Sequence, residues 1–166
     1  MEVGTRRIVQ RNDTSHPTAD CTLLQFRKVV SGEKQYRFLI HDRDNSYSPP
    51  LDSALAAMGL RILKTPSRAP QANAYCKRLV DSVRRQCLDF SIPLSEKHLR
   101  RTRKLWVEHY NKDRPHSSLG PGIPDPPGDL PMEASPSCRI PQGCRVVAKP
   151  ILRGLQHEYG LGRVAA

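Results

Sequence analysis

YRFLIHDRDN (residues 36–45) and TPSRAPQANAYCKRL (residues 65–79) bound the stretch of sequence that decides the fold. The first begins as a short aromatic and branched run and ends at carboxylates, which predicts a buried strand that delivers Asp42 and Asp44 to a sheet edge. Open α/β sheets place their binding sites at such an edge. The second contains two prolines that keep a loop extended, and Asn73 is suited to cap a helix that carries Lys77. The stretch therefore predicts that a strand-end carboxylate meets a helix face.

Strand and helix patterns alternate along the first two thirds of the chain, which predicts an α/β sheet with crossover helices. Apolar spacing, proline and glycine set the predicted elements: strands over 3–11, 36–40 and 61–64, and helices over 18–30, 49–58, 72–87 and 95–110. In the third helix the spacing places Cys76, Val80, Val83 and Cys87 on one apolar face.

The composition changes after Leu119, where proline and glycine become frequent. Such a segment forms neither a helix nor a central strand. We therefore predict a domain over residues 1–119, a proline-rich linker over 120–143 and a short β-hairpin tail over 144–166. An isolated hairpin is marginally stable, so we expect it to be loosely held or to pair with another subunit.

Charge and cysteine usage narrow the class of protein. The formal net charge is +11 and the isoelectric point is about 9.9, which favours an anionic partner such as nucleic acid. No run of eighteen apolar residues and no signal-peptide core occurs, so we predict a cytoplasmic protein without a membrane partner. The five cysteines form no Cys-x-x-Cys pair, which argues against a disulfide framework and against a zinc ribbon.

Four blocks of this sequence resemble the integrase catalytic core of bacterial insertion-sequence transposases. They occur in family order over most of residues 1–125: LIHDRD (39–44), AAMGLRILKTP (56–66), APQANAYCKRL (69–79) and HYNKDRPHSSLG (109–120). The resemblance implies a ribonuclease-H-like fold, a mixed sheet flanked by helices. It also implies a site of two Asp and one Glu that holds two Mg²⁺ or Mn²⁺ ions for cutting and joining DNA.

The resemblance places two residues of this chain at the family's catalytic positions. Asp42 stands where the family has its second Asp, and Lys77, thirty-five residues later, stands where the family has Glu. An ammonium group has no lone pair with which to ligate a cation, and its charge repels the metal. The family's first Asp would precede the block that begins at Met1, so we expect it to be absent. The alternative for Lys77 is an exposed lysine paired with Asp81 one helical turn later.

Asp44 is a candidate auxiliary metal ligand because it lies two residues from Asp42, on the same face of a strand. The alternative is a turn residue that caps its own backbone. Binding of Mg²⁺ or Mn²⁺ by this chain is therefore an expectation that rests on Asp42 and Asp44 alone.

Basic residues concentrate between residues 61 and 114, where fourteen lysines and arginines face five acidic residues. Clustered positive charge releases counterions from phosphates and gives salt-sensitive DNA binding. The alternative is a solvated helix face. Together with the closing motif, this cluster supplies the candidate DNA-contacting residues, which are Arg68, Asn73, Arg78, Arg84, Arg85, Arg100, Arg101, Arg103, Lys104, Arg114 and His116.

The sequence thus predicts an integrase- or transposase-like chain that binds DNA with weak or absent catalysis. We expect it to form a homo-oligomer or to pair with a full-length transposase. Two other hypotheses remain: a non-catalytic regulator that occupies DNA ends, and a decayed transposase fragment without function.

Overall fold

A computed structural model describes residues 1–15, 18–32, 35–44, 47–66, 70–120, 122–126 and 140–164. It is a mixed α/β structure with small sheets, and the chain divides into two compact units. The first unit comprises Met1 and Val9–Val80, and the second comprises Glu2–Ile8 and Asp81–Ala166. No helix in the described ranges is long and apolar enough to cross a membrane.

The first unit is built on two helices and a two-stranded parallel sheet. In chain order these are α1 (Ala19–Val30), β1 (Phe38–His41), α2 (Pro49–Ala57) and β2 (Arg61–Lys64). Local signals explain the helix ends, because the Thr18 side chain accepts a hydrogen bond from the Cys21 N–H and two prolines open α2. Gly59 follows α2 with φ of 88°, a left-handed conformation that favours glycine. These elements confirm the predicted helices and strands of residues 18–64 to within a few residues.

The core of the first unit lies on one face of this sheet. Leu51, Leu55 and Leu60 are buried, and partly buried side chains from α1 and both strands surround them. The paired residues Leu39 and Ile62 point to this core. The opposite face carries Phe38, Ile40 and Leu63, whose side chains are 41–50% exposed.

The third and fourth helices are α3 (Ala74–Gln86) and α4 (Glu96–Lys112). The division between the units falls within α3, after Val80. The predicted apolar face of α3 is only partly correct, because Cys87 is fully buried whereas Cys76 and Val80 are exposed. Helical periodicity shows which residues of α3 share a face. It does not show whether other elements pack on that face, and in the described chain none buries Cys76 or Val80.

Helix α4 organises the second unit. The Ser95 hydroxyl accepts a hydrogen bond from the His98 N–H and caps the helix, while Trp106 and Tyr110 are buried and their rings lie 5.0 Å apart. Asn111 is also buried. It accepts a hydrogen bond from the Ile8 N–H at 2.9 Å and donates one to the Ile8 carbonyl at 3.1 Å.

The prediction of a strand over residues 3–11 is wrong, because no strand forms there. Where a strand partner would bond the backbone of Ile8, a single amide side chain from α4 does so.

The chain ends in the antiparallel hairpin β3 (Cys144–Ile151) and β4 (Gln156–Arg163), as the sequence predicts. The turn between these strands, Leu152–Gly154, contacts α4. Most of the predicted linker lies outside the described residues. Its beginning is ordered, because the Asp125 N–H donates to the Asn111 carbonyl at 2.8 Å and Arg7 Nε lies 3.5 Å from Asp125 Oδ1.

Candidate functional site

The candidate site lies in the first unit, at the carboxyl ends of β1 and β2. The strands are parallel and His41 pairs with Lys64, so Asp42 and Thr65 leave the sheet at the same edge. The Thr65 N–H donates to the His41 carbonyl at 2.9 Å and extends the pairing by one residue. This is the placement of Asp42 that the sequence predicts.

Both carboxylate oxygens of Asp42 accept a hydrogen bond. Oδ1 accepts the Asp44 N–H and Oδ2 accepts the Asn73 side-chain amide, each at 3.3 Å. Asn73 lies within a short 3-10 turn, Pro70–Asn73, that leads into α3. The predicted meeting of strand end and helix start therefore occurs through Asn73. The sequence reasoning treated Asn73 as a helix cap and DNA contact and missed this bond to Asp42.

A second polar group, the ring of His41, contacts the backbone carbonyl of Asp42 itself. The buried His41 ring has Nδ1 2.5 Å from the Asp42 carbonyl and Nε2 2.9 Å from Asp52 Oδ1, while Lys64 Nζ lies 2.6 Å from Asp52 Oδ2. Burial alone would raise the pKa of Asp52, but contact with Lys64 and with the charge of His41 outweighs it and lowers that pKa. Sequence reasoning missed Asp52, because only the packing of α2 on the strands brings it to His41.

Tyr47 covers the same edge. Its ring stacks on that of His41 with centroids 4.3 Å apart and planes within 9° of parallel. Burial raises the pKa of the Tyr47 hydroxyl, and the nearby carboxylates of Asp42 and Asp44 raise it further. The hydroxyl therefore stays protonated at neutral pH and can donate a hydrogen bond beside Asp42.

These residues do not fit a two-metal site. Asp44 is exposed and Lys77 is an exposed residue of α3. Within the described ranges, His109, Asp113 and Glu158 form the one group of three His, Cys, Asp or Glu side chains whose ligand atoms approach one another within 4.8 Å, and all three belong to the second unit. Around Asp42 the donors are thus a carboxylate, its neighbour Asp44 and an amide, without a third carboxylate.

The predicted DNA-contacting residues divide between the units. Asn73 and Arg78 belong to the first, and Arg78 is exposed. In the second unit most are exposed, whereas Arg103 is half-buried. Arg68 lies outside the described residues. The exposed set of the second unit is Arg84, Arg85, Arg100, Arg101 and Lys104.

Some of these basic side chains form exposed ion pairs with a carboxylate of their own helix, four residues away. Arg100 lies 2.5 Å from Glu96, Arg85 lies 3.6 Å from Asp81, and their side chains are 56% and 76% exposed. Exposed pairs of this kind contribute only about 0.3–0.5 kcal/mol. A phosphate can therefore replace the carboxylate at little cost.

Arg114 and His116 are instead packed into the second unit. The His116 ring meets Tyr110 edge-on at 4.7 Å, and Arg114 Nη1 lies 3.3 Å from His116 Nε2. Burial and the positive charges of Arg114 and Arg6 lower the pKa of His116, so its ring is neutral. The closing motif is thus an ordered turn, and DNA contact by either residue stays a prediction.

Part of the sequence matches a known protein family. Residues 58–124 match the family described as "Integrase core domain", which confirms the resemblance to an integrase catalytic core over that segment. Asp42 lies before the matched segment. Comparison with curated protein sequences gives no significant match.

A solved structure shares the fold. It is a chain of the cryo-electron-microscopy structure of the simian T-cell lymphotropic virus intasome in complex with PP2A regulatory subunit B56 gamma. The TM-score is 0.50 at 13% sequence identity, and the alignment covers 90% of this chain. It covers 55% of that chain, so the present sequence spans about half of the relative's length.

Proposed function

We propose, from the match of residues 58–124 to the integrase core domain, that this chain is a ribonuclease-H-like protein of the transposase and integrase type that binds DNA and is impaired in strand transfer. Two separate observations carry the proposal: exposed basic residues on α4, and an Asp42 site at which the described residues provide no third carboxylate. DNA binding and loss of catalysis are separate parts of this proposal, and each has its own test.

The charge of the second unit supports DNA binding. Lys97, Arg101 and Lys104 recur at spacings of four and three residues, so one face of α4 presents three exposed positive charges. Lys104 lies 3.9 Å from the exposed carboxylate of Glu108. A phosphate can displace such a weakly held partner. Binding through such a surface positions DNA without reading its sequence.

The surroundings of Asp42 support impaired catalysis. Displacement at phosphorus places charge on the attacking and leaving oxygens, and two metal ions neutralise both. Such ions need several oxygen ligands. Asp42 accepts hydrogen bonds on both oxygens, Asp44 is exposed, and Lys77 at the family's Glu position is a cation. The chain therefore holds DNA without a complete site for Mg²⁺ or Mn²⁺.

We also propose association with a second copy or with a full-length transposase, because the solved structure that shares the fold is an intasome in complex with another protein. Adding the chain to an active relative should then inhibit strand transfer in proportion to its share of the mixed oligomer.

The test of catalysis is nicking of supercoiled plasmid in Mn²⁺ by the purified chain, beside Asp42→Asn. We expect no nicking above the level of Asp42→Asn. Nicking that disappears in Asp42→Asn would overturn the impairment, because it would show that Asp42 still supports a working metal site.

The test of DNA binding is a salt series with the same plasmid, followed by fluorescence anisotropy or filter binding. We expect affinity to fall steeply with salt, because counterions are released from the phosphates. Binding that is absent at low salt, or that does not change with salt, would overturn DNA binding through the basic surface.

A further inference from the structure

His109, Asp113 and Glu158 form a cluster in the second unit that the proposed DNA chemistry does not use. His109 lies in the last turn of α4, Asp113 is the residue that caps the C-terminus of this helix, and Glu158 comes from β4. One ring nitrogen of His109 and one oxygen of each carboxylate lie within 4.8 Å of one another. Three potential ligands from two elements thus converge on one point.

The histidine of this cluster is buried without a full set of partners. His109 is 6% exposed, and its Nδ1 atom is buried with no hydrogen-bond partner among the described residues. A buried polar nitrogen without a partner is energetically unfavourable, so such atoms are rare in folded proteins and call for an explanation such as a bound ion. Burial also lowers the pKa of His109, which keeps the imidazole in the neutral form that binds metals.

The two carboxylates repel each other. Partial desolvation by the surrounding chain raises the pKa of the exposed Asp113 carboxyl, and the negative charge of Glu158 raises it further. Lys149 Nζ lies 3.2 Å from Glu158 Oε2, but its side chain is 74% exposed and holds only one of the carboxylates. A divalent cation between the two carboxylates would neutralise both.

We propose that His109, Asp113 and Glu158 bind a zinc ion that fastens the β3–β4 hairpin to α4. Zinc accepts imidazole and carboxylate ligands together and completes its four ligands with water, whereas Mg²⁺ and Ca²⁺ prefer oxygen alone. Ligand atoms about 2.0–2.2 Å from a tetrahedral zinc lie roughly 3.3–3.6 Å apart. The three candidate ligand atoms all lie within 4.8 Å of one another, so closing the site needs side-chain movements of up to about 1.5 Å.

The experiment titrates the full, EDTA-treated chain with ZnCl₂ in a calorimeter and repeats it with MgCl₂, both without DNA. We expect one zinc site, no measurable magnesium binding and an increase in melting temperature with zinc. Glu158→Gln and Asp113→Asn should each weaken zinc binding at least about tenfold, the lower end of what even an outer-shell partner contributes. Neither position is buried, so both variants should keep the circular dichroism spectrum of the parent.

Glu108→Gln is the matched control, because Glu108 is an exposed carboxylate of the same helix outside the cluster. Its zinc affinity should equal that of the parent. Co²⁺ gives a second readout, since its visible absorption in a four-coordinate site should be lost in Glu158→Gln and kept in Glu108→Gln. Absence of zinc binding, equal affinity in all three variants, or magnesium binding of similar strength would each overturn the proposal. None of these outcomes depends on DNA binding, so the proposed function is tested separately.

Discussion

Replacement of Asn111 by leucine should destabilise the second unit strongly. The Asn111 amide supplies both hydrogen bonds of the Ile8 backbone, at 2.9 and 3.1 Å, and both residues are 9% exposed. Leucine has the same number and branching of side-chain heavy atoms but no polar atom, so it leaves one N–H and one C=O buried without partners. Each orphaned group costs about 1–3 kcal/mol, so we expect a loss of about 2–6 kcal/mol in the free energy of unfolding.

The assay is urea denaturation followed by the fluorescence of Trp106, the only tryptophan of the chain. Trp106 is 1% exposed and lies on the same helix as Asn111, so its emission reports unfolding of this unit. Lys112→Leu is the control, because it introduces the same side chain at an exposed neighbouring position and should change stability by no more than about 0.5 kcal/mol. Equal losses of stability in Asn111→Leu and Lys112→Leu, at an unchanged urea dependence, would show that these two hydrogen bonds do not stabilise the unit.

Three further predictions concern the first unit and the DNA surface. Asp52→Asn should destabilise the chain by about 1–3 kcal/mol at neutral pH, because it removes the charge that faces His41 and Lys64. The pKa of Asp52 is lowered by folding, so this difference should shrink as the pH falls below the ordinary value of 3.8, which pH-dependent urea denaturation measures. Arg101→Gln should reduce the salt slope of DNA binding by about one unit. Gly59→Ala should lower the melting temperature, because φ is 88° there.

Each of these has an outcome that contradicts it. A stability difference for Asp52→Asn that persists undiminished at pH 2 would show that the carboxylate charge is not its cause. The control for Arg101→Gln is Arg163→Gln, an exposed arginine of β4, and equal salt slopes in the two variants would exclude a specific role for α4. A melting temperature of Gly59→Ala equal to that of the parent would show that the turn relaxes without strain.

Local rules explain which parts of this fold the sequence predicts. Thr18 and Ser95 cap helices, Pro49 opens one and Gly59 ends one, and each acts within a few residues of its own position. The strand at residues 38–41 and its placement of Asp42 follow from a short apolar run in the same way. The predicted boundaries of these elements therefore agree with the structure.

Contacts between distant residues explain what the sequence does not predict. The bonds from Asn111 to Ile8 span 103 residues, and the bond from Asn73 to Asp42 spans 31. Asn111 therefore could not be distinguished from any other polar residue near a helix end. His109 and Asp113 are close in sequence at the C-terminal end of α4, but Glu158 joins them only because β4 returns to that end. The roles of Lys77 and of the basic residues toward DNA stay predictions.

The exposed face of the small parallel sheet should affect how the chain behaves in concentrated solution. Parallel sheets are normally covered on both faces, whereas here the apolar side chains of Phe38, Ile40 and Leu63 are exposed to solvent. At low salt the net charge of +11 keeps copies apart, whereas ionic strength near 0.15 M shortens the reach of that repulsion to about 8 Å. Salt should therefore promote clustering of the protein while it weakens DNA binding, and light scattering can separate these two effects within one titration.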